Sequence, residues 1–447
     1  MRVVVVGGGI AGLTAGLRLR QAGVDVHVIE EATTPGGVVG TRWEAGFLHE
    51  LAANGFLAAP DGAAALCAEL GVDVVAASTA ARKRSIYIDG ALRELPTNPI
   101  ALARTDLLTW RGKLDLLREP LRPARDVDRD GDESVHAFAA RRFGPEVARA
   151  VIAPFVTGVF AADAHDVSLA AGFPKLAALD RAGGVVRGLV KSLRERRKGA
   201  KRAGGLHAPR AGMAALIEAL VRSLDTRLVT GTTVRAVAPA DGGVVVELGA
   251  GSQRCDAAVI ATPARAAARL VATGVPELAT RLTEIQRAPA ALVFLGFDAA
   301  AVHAAHPLDG FGFLVAQGEE LRVLGVLFES TVWPGRAPEG RVLVRCVFGG
   351  ARDPDAVQLA DAELIAHARA DLERALGITA PPVHTAVTRW TAGIAQYPVG
   401  HKDRVATLDS LAGQHRLVLA GADYHGIGVN DVIADARRVV KEVEPWR

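Results

Sequence analysis

Three glycines, Gly7, Gly9 and Gly12, follow the β-branched run Val3–Val6 and open an apolar stretch that reads as a helix to about Gln21. A second apolar run, "VDVHVIE", ends at Glu30. Strand, glycine turn, helix, strand and terminal acid make up a dinucleotide-binding unit. The first glycine makes the tight turn, the second lets backbone approach a pyrophosphate, and the third lets the helix pack on the strand. The helix N-terminus offers unpaired N–H groups and a partial positive charge to the phosphates. A carboxylate at Glu30 can accept hydrogen bonds from the ribose hydroxyls of an adenosine. The candidate contacts are therefore Gly7, Gly8, Gly9, Ile10, Ala11, Gly12 and Glu30.

This unit does not by itself separate a nicotinamide from a flavin dinucleotide. Two later features point to the flavin. Gly36-Gly37 follow soon after Glu30, where backbone must pass close to a ligand. In "AGADYHGIGVND", Gly421, Gly426 and Gly428 precede a helix expected to start near Asn430. Such an N-terminus can face the pyrimidine end of an isoalloxazine and stabilise the negative charge of the reduced ring. Non-covalent FAD is expected, since no Cys or His attachment motif is evident.

Other chemistries lack their residues. There is no G-x-S-x-G, no H-E-x-x-H and no obvious catalytic dyad. Cys67, Cys255 and Cys346 are far apart with no CxxC, which argues against a disulfide framework and a structural zinc, and fits a reducing compartment. No metal is expected: His303 and His306 read as a surface pair, and His401 as structural. Over 447 residues, 50% are hydrophobic and 23% charged, the balance of a folded globular chain. A net charge of +3 and a pI near 8.9 are too mild for a nucleic-acid binder. No charge-free apolar run reaches the roughly 18 residues of a membrane span. A cleavable leader is not expected, because the glycine motif at Gly7 leaves no room for one.

The elements that must position these residues are α/β. The expected architecture is a discontinuous Rossmann-like FAD-binding domain from residues 1–85, 204–284 and 386–447. A mixed β-rich substrate domain, 86–100 and 285–385, and a helical domain, 101–203, are inserted into it. No internal repeat is visible.

With these motifs in place, the chain resembles the FAD-dependent amine oxidase and phytoene desaturase superfamily. The segments "RKRSIYIDGALRELPTNPI", "PFVTGVFAADAHDVSLAAGFPKL", "GFGFLVAQGEELRVLGVLFES", "RVLVRCVFGG", "IAQYPVGH" and "GADYHGIGVND" look like the protoporphyrinogen oxidase family, in that order and over nearly the whole chain. The resemblance implies oxidation of protoporphyrinogen IX to protoporphyrin IX in heme synthesis. Six electrons would leave in three two-electron steps, with dioxygen or another acceptor. It implies FAD contacts at Gly7 to Gly12, Glu30, Gly37, the Ala52, Ala53, Asn54 and Gly55 turn, Val234 by its backbone, Ala422, Ile427, Gly428 and Val429. Asn54 is the candidate group acting beside the flavin. The implied substrate cleft is Arg84, Gly158, Gly312, Leu314, Leu327 and Val347, aliphatic walls for a macrocycle and a guanidinium for a propionate. One departure stands out: Ala52-Ala53 replace the family's glycine-containing turn, although Glu50 and Asn54 are kept.

The basic run Lys191–Arg202 reads first as a solvated helix end and loop. Its sharper reading is attraction to anionic lipid or to a carboxylated substrate. The resemblance places the protein in the cytoplasm, with peripheral contact at the inner face of the membrane and a homodimer left open. Coproporphyrinogen III is the alternative substrate, since nothing in the chain counts propionates. An amine oxidase or polyene desaturase on the same scaffold is a second class, but aromatics at 5% argue against a cage around Tyr424. A flavin-binding scaffold without activity is the third.

Overall fold

The computed structural model describes residues 1–188 and 205–446. The basic run Lys191–Arg202 thus lies outside the described residues. The centre is a five-stranded parallel sheet in the order Leu228–Val229, Asp25–Ile29, Arg2–Val6, Ala257–Ile260, Leu417–Leu419. A parallel sheet covered on both faces needs apolar residues at every position, and Val3 to Val6 meet that demand. Val3 and Val5 join Leu13, Leu17, Leu216, Leu220 and Val439 on one side. Val4 and Val6 join Val237, Val244, Ile260, Val271 and Leu419 on the other. The first layer holds the helices Ile10–Gln21, Ala214–Leu224 and Val429–Val443. The second holds a three-stranded antiparallel sheet, Val234–Ala240, Gly243–Leu248 and Gly251–Cys255, with the helix Ala264–Val271.

A seven-stranded mixed sheet forms the second body. Its order is His384–Ala395, Arg287–Asp298, Arg341–Gly349, Gly325–Leu327, Gly312–Val315, Ser85–Ile88, Ala91–Glu94. One face carries Val293, Leu295, Phe313, Val344 and Cys346 and packs on the helix Asp361–Leu376 through Leu364 and Leu372. The edge strand His384–Ala395 crosses the expected boundary at 385/386. Its ladder with Arg287–Asp298 continues to Ala395, past a bulge between the Ala288 and Ala290 pairs. There Arg287 donates to the carbonyls of Ala392 and Gly393 and pairs with Asp423 at 2.6 Å, tying the sheet to the loop before the helix Val429–Val443. The segment from Pro99 to Arg181 is a set of short helices packed on Ile86 and Ile88 through Phe138, Phe143 and Val147. No described helix is long and apolar enough to cross a membrane. All three cysteines are free and buried.

The first helix seats on the sheet through glycine. A Cβ on Gly12 would lie 1.9 Å from the Gly7 carbonyl oxygen, and one on Gly16 2.5 Å from the Val28 side chain. The obstacle at Gly12 is backbone, so the helix itself must move to admit a methyl group. Overpacking of this kind costs about 1–3 kcal/mol. Gly12→Ala should therefore lower the melting temperature followed by circular dichroism. Gly9→Ala, whose nearest neighbour would be 3.9 Å away, should leave the FAD-free protein unchanged.

Candidate active site

Gly9 caps the helix Ile10–Gln21 in an extended conformation (φ −71°), and the first helical turn holds no acid. Neither its backbone angles nor its packing demands glycine, because the only neighbour of an added Cβ would be the Gly37 Cα at 3.9 Å. Gly36 donates to the Gly8 carbonyl at 2.8 Å and bridges in parallel to Gly9, which brings the Gly36-Gly37 pair against the glycine turn. The space ahead of Gly9 is thus open and faces N–H groups, as an anionic pyrophosphate requires. The Glu30 carboxylate accepts from the backbone N–H of Gly8 and, at 2.8 Å, of Ala32, so it is aimed before any ribose arrives. Thr232 donates to the Glu30 carbonyl at 3.0 Å, which brings the start of the Val234–Ala240 strand to the same end. Beside Gly7, the buried Thr262 hydroxyl has no partner. Thr262 escaped the sequence reading; its signal is its place two residues after the all-buried strand Ala257–Ile260.

The second half comes from the C-terminal glycine segment. A Cβ on Gly421 would lie 3.7 Å from the Ala11 Cβ, so this segment abuts the first helix. The Tyr397 hydroxyl donates to the Ala422 carbonyl and accepts from the Gly426 N–H, both at 2.8 Å. One phenol thereby holds both limbs of the loop. His401 stacks on Tyr397 at 3.9 Å; burial drops its pKa to about 4 and keeps it neutral. Ile427 packs in the same cluster, and Gly428 caps the helix Val429–Val443. Asn430, a second residue that sequence reasoning missed, accepts from Ala63 N–H and donates to the Leu57 carbonyl. Tyr424 is 3% exposed and buried in the core cluster that holds Val4, Val6 and Leu419.

The turn after Glu50 is held from outside. Trp390 Nε1 donates to the Leu51 carbonyl at 2.7 Å, Arg345 to Ala52 at 3.0 Å, and Arg336 to Asn54 at 3.1 Å. The two guanidiniums are themselves fixed in a buried quartet. Arg336 pairs with Glu50 at 2.9 Å and Glu329 at 3.0 Å, and Arg345 lies 3.2 Å from Glu329. Burial pushes the Glu50 carboxyl up, against the pull of Arg336. Glu50 also accepts from the Met213 N–H and the Thr41 hydroxyl. None of Ala52, Ala53 and Asn54 has a positive φ, so the turn needs no glycine at these positions. A Cβ on Gly55 would meet the Trp333 ring at 2.6 Å. The Asn54 side-chain nitrogen is buried without a partner, a donor left for a ligand.

The residues expected in the substrate cleft gather on the sheet face opposite the helix Asp361–Leu376. Gly312 pairs with Leu327 and Leu327 with Arg345; Leu314 pairs with Gly325 and Gly325 with Val347. Cross-strand partners share a face and alternate residues repeat it, so Gly312, Leu314, Leu327, Val347 and Arg345 all point the same way. Gly158 comes from the helix Ala153–Phe160, and a Cβ there would sit 2.7 Å from the Leu314 side chain. Arg84 precedes the strand Ser85–Ile88, in line with Gly312. Its guanidinium lies 4.7 Å over the Phe311 ring and has no carboxylate partner among the described residues; partial burial of the group lowers its pKa. A separate cavity of about 590 Å³, lined by His165, Arg287, Gln396, Tyr397 and Arg404 among others, includes none of these six residues.

An open glycine turn, an aimed acid and a second helix N-terminus beside an apolar sheet face define a flavin-dependent oxidoreductase. The chain belongs to the flavin containing amine oxidoreductase family, which matches residues 10–444. It is 33% identical to the coproporphyrinogen III oxidase of Mycobacterium tuberculosis (strain CDC 1551 / Oshkosh), over 98% of this chain and 96% of the relative. It is 31% identical to the protoporphyrinogen oxidase of Homo sapiens, over 99% and 98%. These full-length matches place it with the porphyrinogen oxidases of that family. A crystal structure from Exiguobacterium sp. 255-15 has the same fold, with a TM-score of 0.83 at 23% identity over 100% of this chain and 99% of that one.

The cofactor is FAD, and the residues present fit it: open backbone at Gly9, an acceptor at Glu30, and unpartnered polar atoms at Thr262 and Asn54. The purified protein should be yellow and release free FAD on denaturation. Gly9→Val should abolish FAD retention, read as absorbance near 450 nm after gel filtration, while circular dichroism stays that of the parent. Normal FAD content in that variant would displace the pyrophosphate from this turn.

Proposed function

We propose that the chain oxidises protoporphyrinogen IX to protoporphyrin IX in three two-electron turnovers, with dioxygen as acceptor. The carrying observation is the apolar sheet face of Leu314, Leu327 and Val347 with the carboxylate-free guanidinium of Arg84 at its edge. A porphyrinogen is a broad, largely apolar macrocycle with carboxylate arms, and such a face with one cation at its rim complements it. FAD, when bound, supplies the two-electron acceptor. The protein's own part is to bind and orient: the aliphatic wall takes the ring, Arg84 takes a propionate, and the Asn54 amide is a donor at the turn. The neutral, buried His401 has no substrate-facing role. Coproporphyrinogen III is the second reading, favoured by the name of the Mycobacterium tuberculosis relative.

A charge-assisted hydrogen bond at Arg84 is worth about 1.5–3 kcal/mol, roughly tenfold to a hundredfold in an equilibrium constant. The propionate lies away from the reacting carbon, so the contact is similar in ground and transition states. Arg84→Ala should raise KM more than it lowers kcat, and Arg84→Lys should recover only part. Val347→Asp should impair turnover independently. Porphyrin fluorescence with each porphyrinogen, at matched FAD content, measures all of this and ranks the two substrates. Unchanged constants for Arg84→Ala on both would return Arg84 to the solvated surface.

We also propose peripheral membrane contact through the helical insert. Trp110, Leu114 and Leu117 form one exposed stripe of the helix Trp110–Leu117, with exposed Ile100 and Leu121 near it in the chain and exposed Arg104, Arg111 and Arg118 interspersed. An apolar stripe with flanking cations suits an anionic interface. The protein should float with phosphatidylglycerol-containing vesicles, and Leu117→Glu should reduce the floating fraction severalfold. Equal flotation of the two proteins would refute the assignment of this stripe.

A further inference from the structure

Away from the flavin site, Glu44, His49 and His384 converge, each offering one ligand atom, all within 4.8 Å of one another. Glu44 and His49 lie on one hairpin, Thr41–Glu44 and Phe47–Glu50, in which Glu44 pairs with Phe47 and Arg42 with His49. Pairing and alternation put all four on one face. The hairpin turns through Ala45 and Gly46, both at positive φ (50° and 81°). His384 opens the edge strand of the seven-stranded sheet, opposite Gly296. A Cβ on Gly296 would lie 2.6 Å from the Phe47 ring and 3.1 Å from the His384 Cβ, so the glycine in this long strand clears space for both rings. His49 stacks on Phe294 at 4.6 Å, and His384 on Phe47 at 4.8 Å. The phenyl rings support the two imidazoles, whose planes are within 16° of parallel and whose Nε2 atoms approach to 3.1 Å.

We propose that Glu44, His49 and His384 form a binding site for a zinc-like divalent cation that clips the hairpin to the edge of the seven-stranded sheet. Two imidazole nitrogens 3.1 Å apart either share one proton or share one cation. Bonds of about 2.0–2.1 Å to zinc across that gap subtend about 98°, within reach of tetrahedral geometry. The ring centroids are 4.9 Å apart, closer than a straight N–H···N bond between ring edges would set them. Glu44 has no hydrogen-bond or ion-pair partner among the described residues and supplies an oxygen for the third position, leaving the fourth for water. Nitrogen ligands select zinc-type ions over calcium or magnesium. Arg42, the guanidinium acting on His49, is exposed to solvent. The site lies further along the sheet face that carries Val347, which packs against the Phe47 and Phe294 cluster, and its test does not use turnover.

The FAD-loaded protein, stripped with EDTA and dialysed, is titrated with zinc sulfate by calorimetry, and crystals soaked in zinc are measured at the zinc absorption edge. One zinc per chain, an anomalous peak between the two Nε2 atoms and a raised melting temperature are expected. His384→Ala should abolish this stoichiometric binding, and Glu44→Gln, at an exposed position, should weaken it at least tenfold; both should keep their flavin absorbance. Absence of stoichiometric zinc in the parent protein overturns the proposal in favour of a shared proton. So does zinc bound equally by the parent and both variants, which would place the ion elsewhere.

Discussion

Four buried charges hold the two bodies together at the turn after Glu50. Glu50 comes from the hairpin of the FAD-binding body; Glu329, Arg336 and Arg345 come from the seven-stranded sheet and its connections. A single buried charge is costly, and removing one member of a buried pair typically costs about 3–5 kcal/mol because its partner is left uncompensated. Two acids and two guanidiniums close the balance. Each guanidinium has more donors than its carboxylates consume, and the surplus goes to the carbonyls of Ala52 and Asn54. Charge neutrality and backbone shape are therefore one constraint. Glu50 extends it to a third segment through the Met213 N–H. With Ala52 and Ala53 in it, the turn takes its shape from these side chains and from Trp390.

The centre of the fold was legible because its signals are local. A parallel strand buried on both faces must be apolar throughout, so Val3–Val6 announces itself, and Gly12 marks a helix that touches its strand. The short strands Leu228–Val229 and Leu417–Leu419 lie in stretches that read as β-rich, but their places in the sheet depend on neighbours far away in the chain. The domain limit at 385/386 fell inside the strand His384–Ala395 because that strand is placed by its pairing with Arg287–Asp298, distant in the chain. The family resemblance implied aliphatic cleft walls, but the face shared by Leu314, Leu327 and Val347 rests on cross-strand register, which a single strand does not encode. Glu50, Glu329, Arg336 and Arg345 were illegible as a group. Charged residues belong to solvent by default, and only the tertiary fold turns these four inward. Thr262, Asn430, and the pairing of His49 with His384 were hidden for the same reason, each depending on a partner distant in sequence.

The order of the parallel sheet also bears on how the chain is made. During synthesis Arg2–Val6 can pair at once with Asp25–Ile29, but its other neighbour, Ala257–Ile260, emerges only after the helical insert. Leu417–Leu419, which closes that side, follows the seven-stranded sheet as well. Parallel pairings across such separations are slow to form, and the apolar edge of the first unit waits unpaired meanwhile, a species prone to aggregate. The helix that completes the flavin site comes later still. FAD therefore meets a finished pocket only once that helix has emerged and packed, and acts then as a ligand that binds the folded chain and draws the last equilibrium toward it. Cellular flavin supply becomes a determinant of how much of this protein survives its own biogenesis.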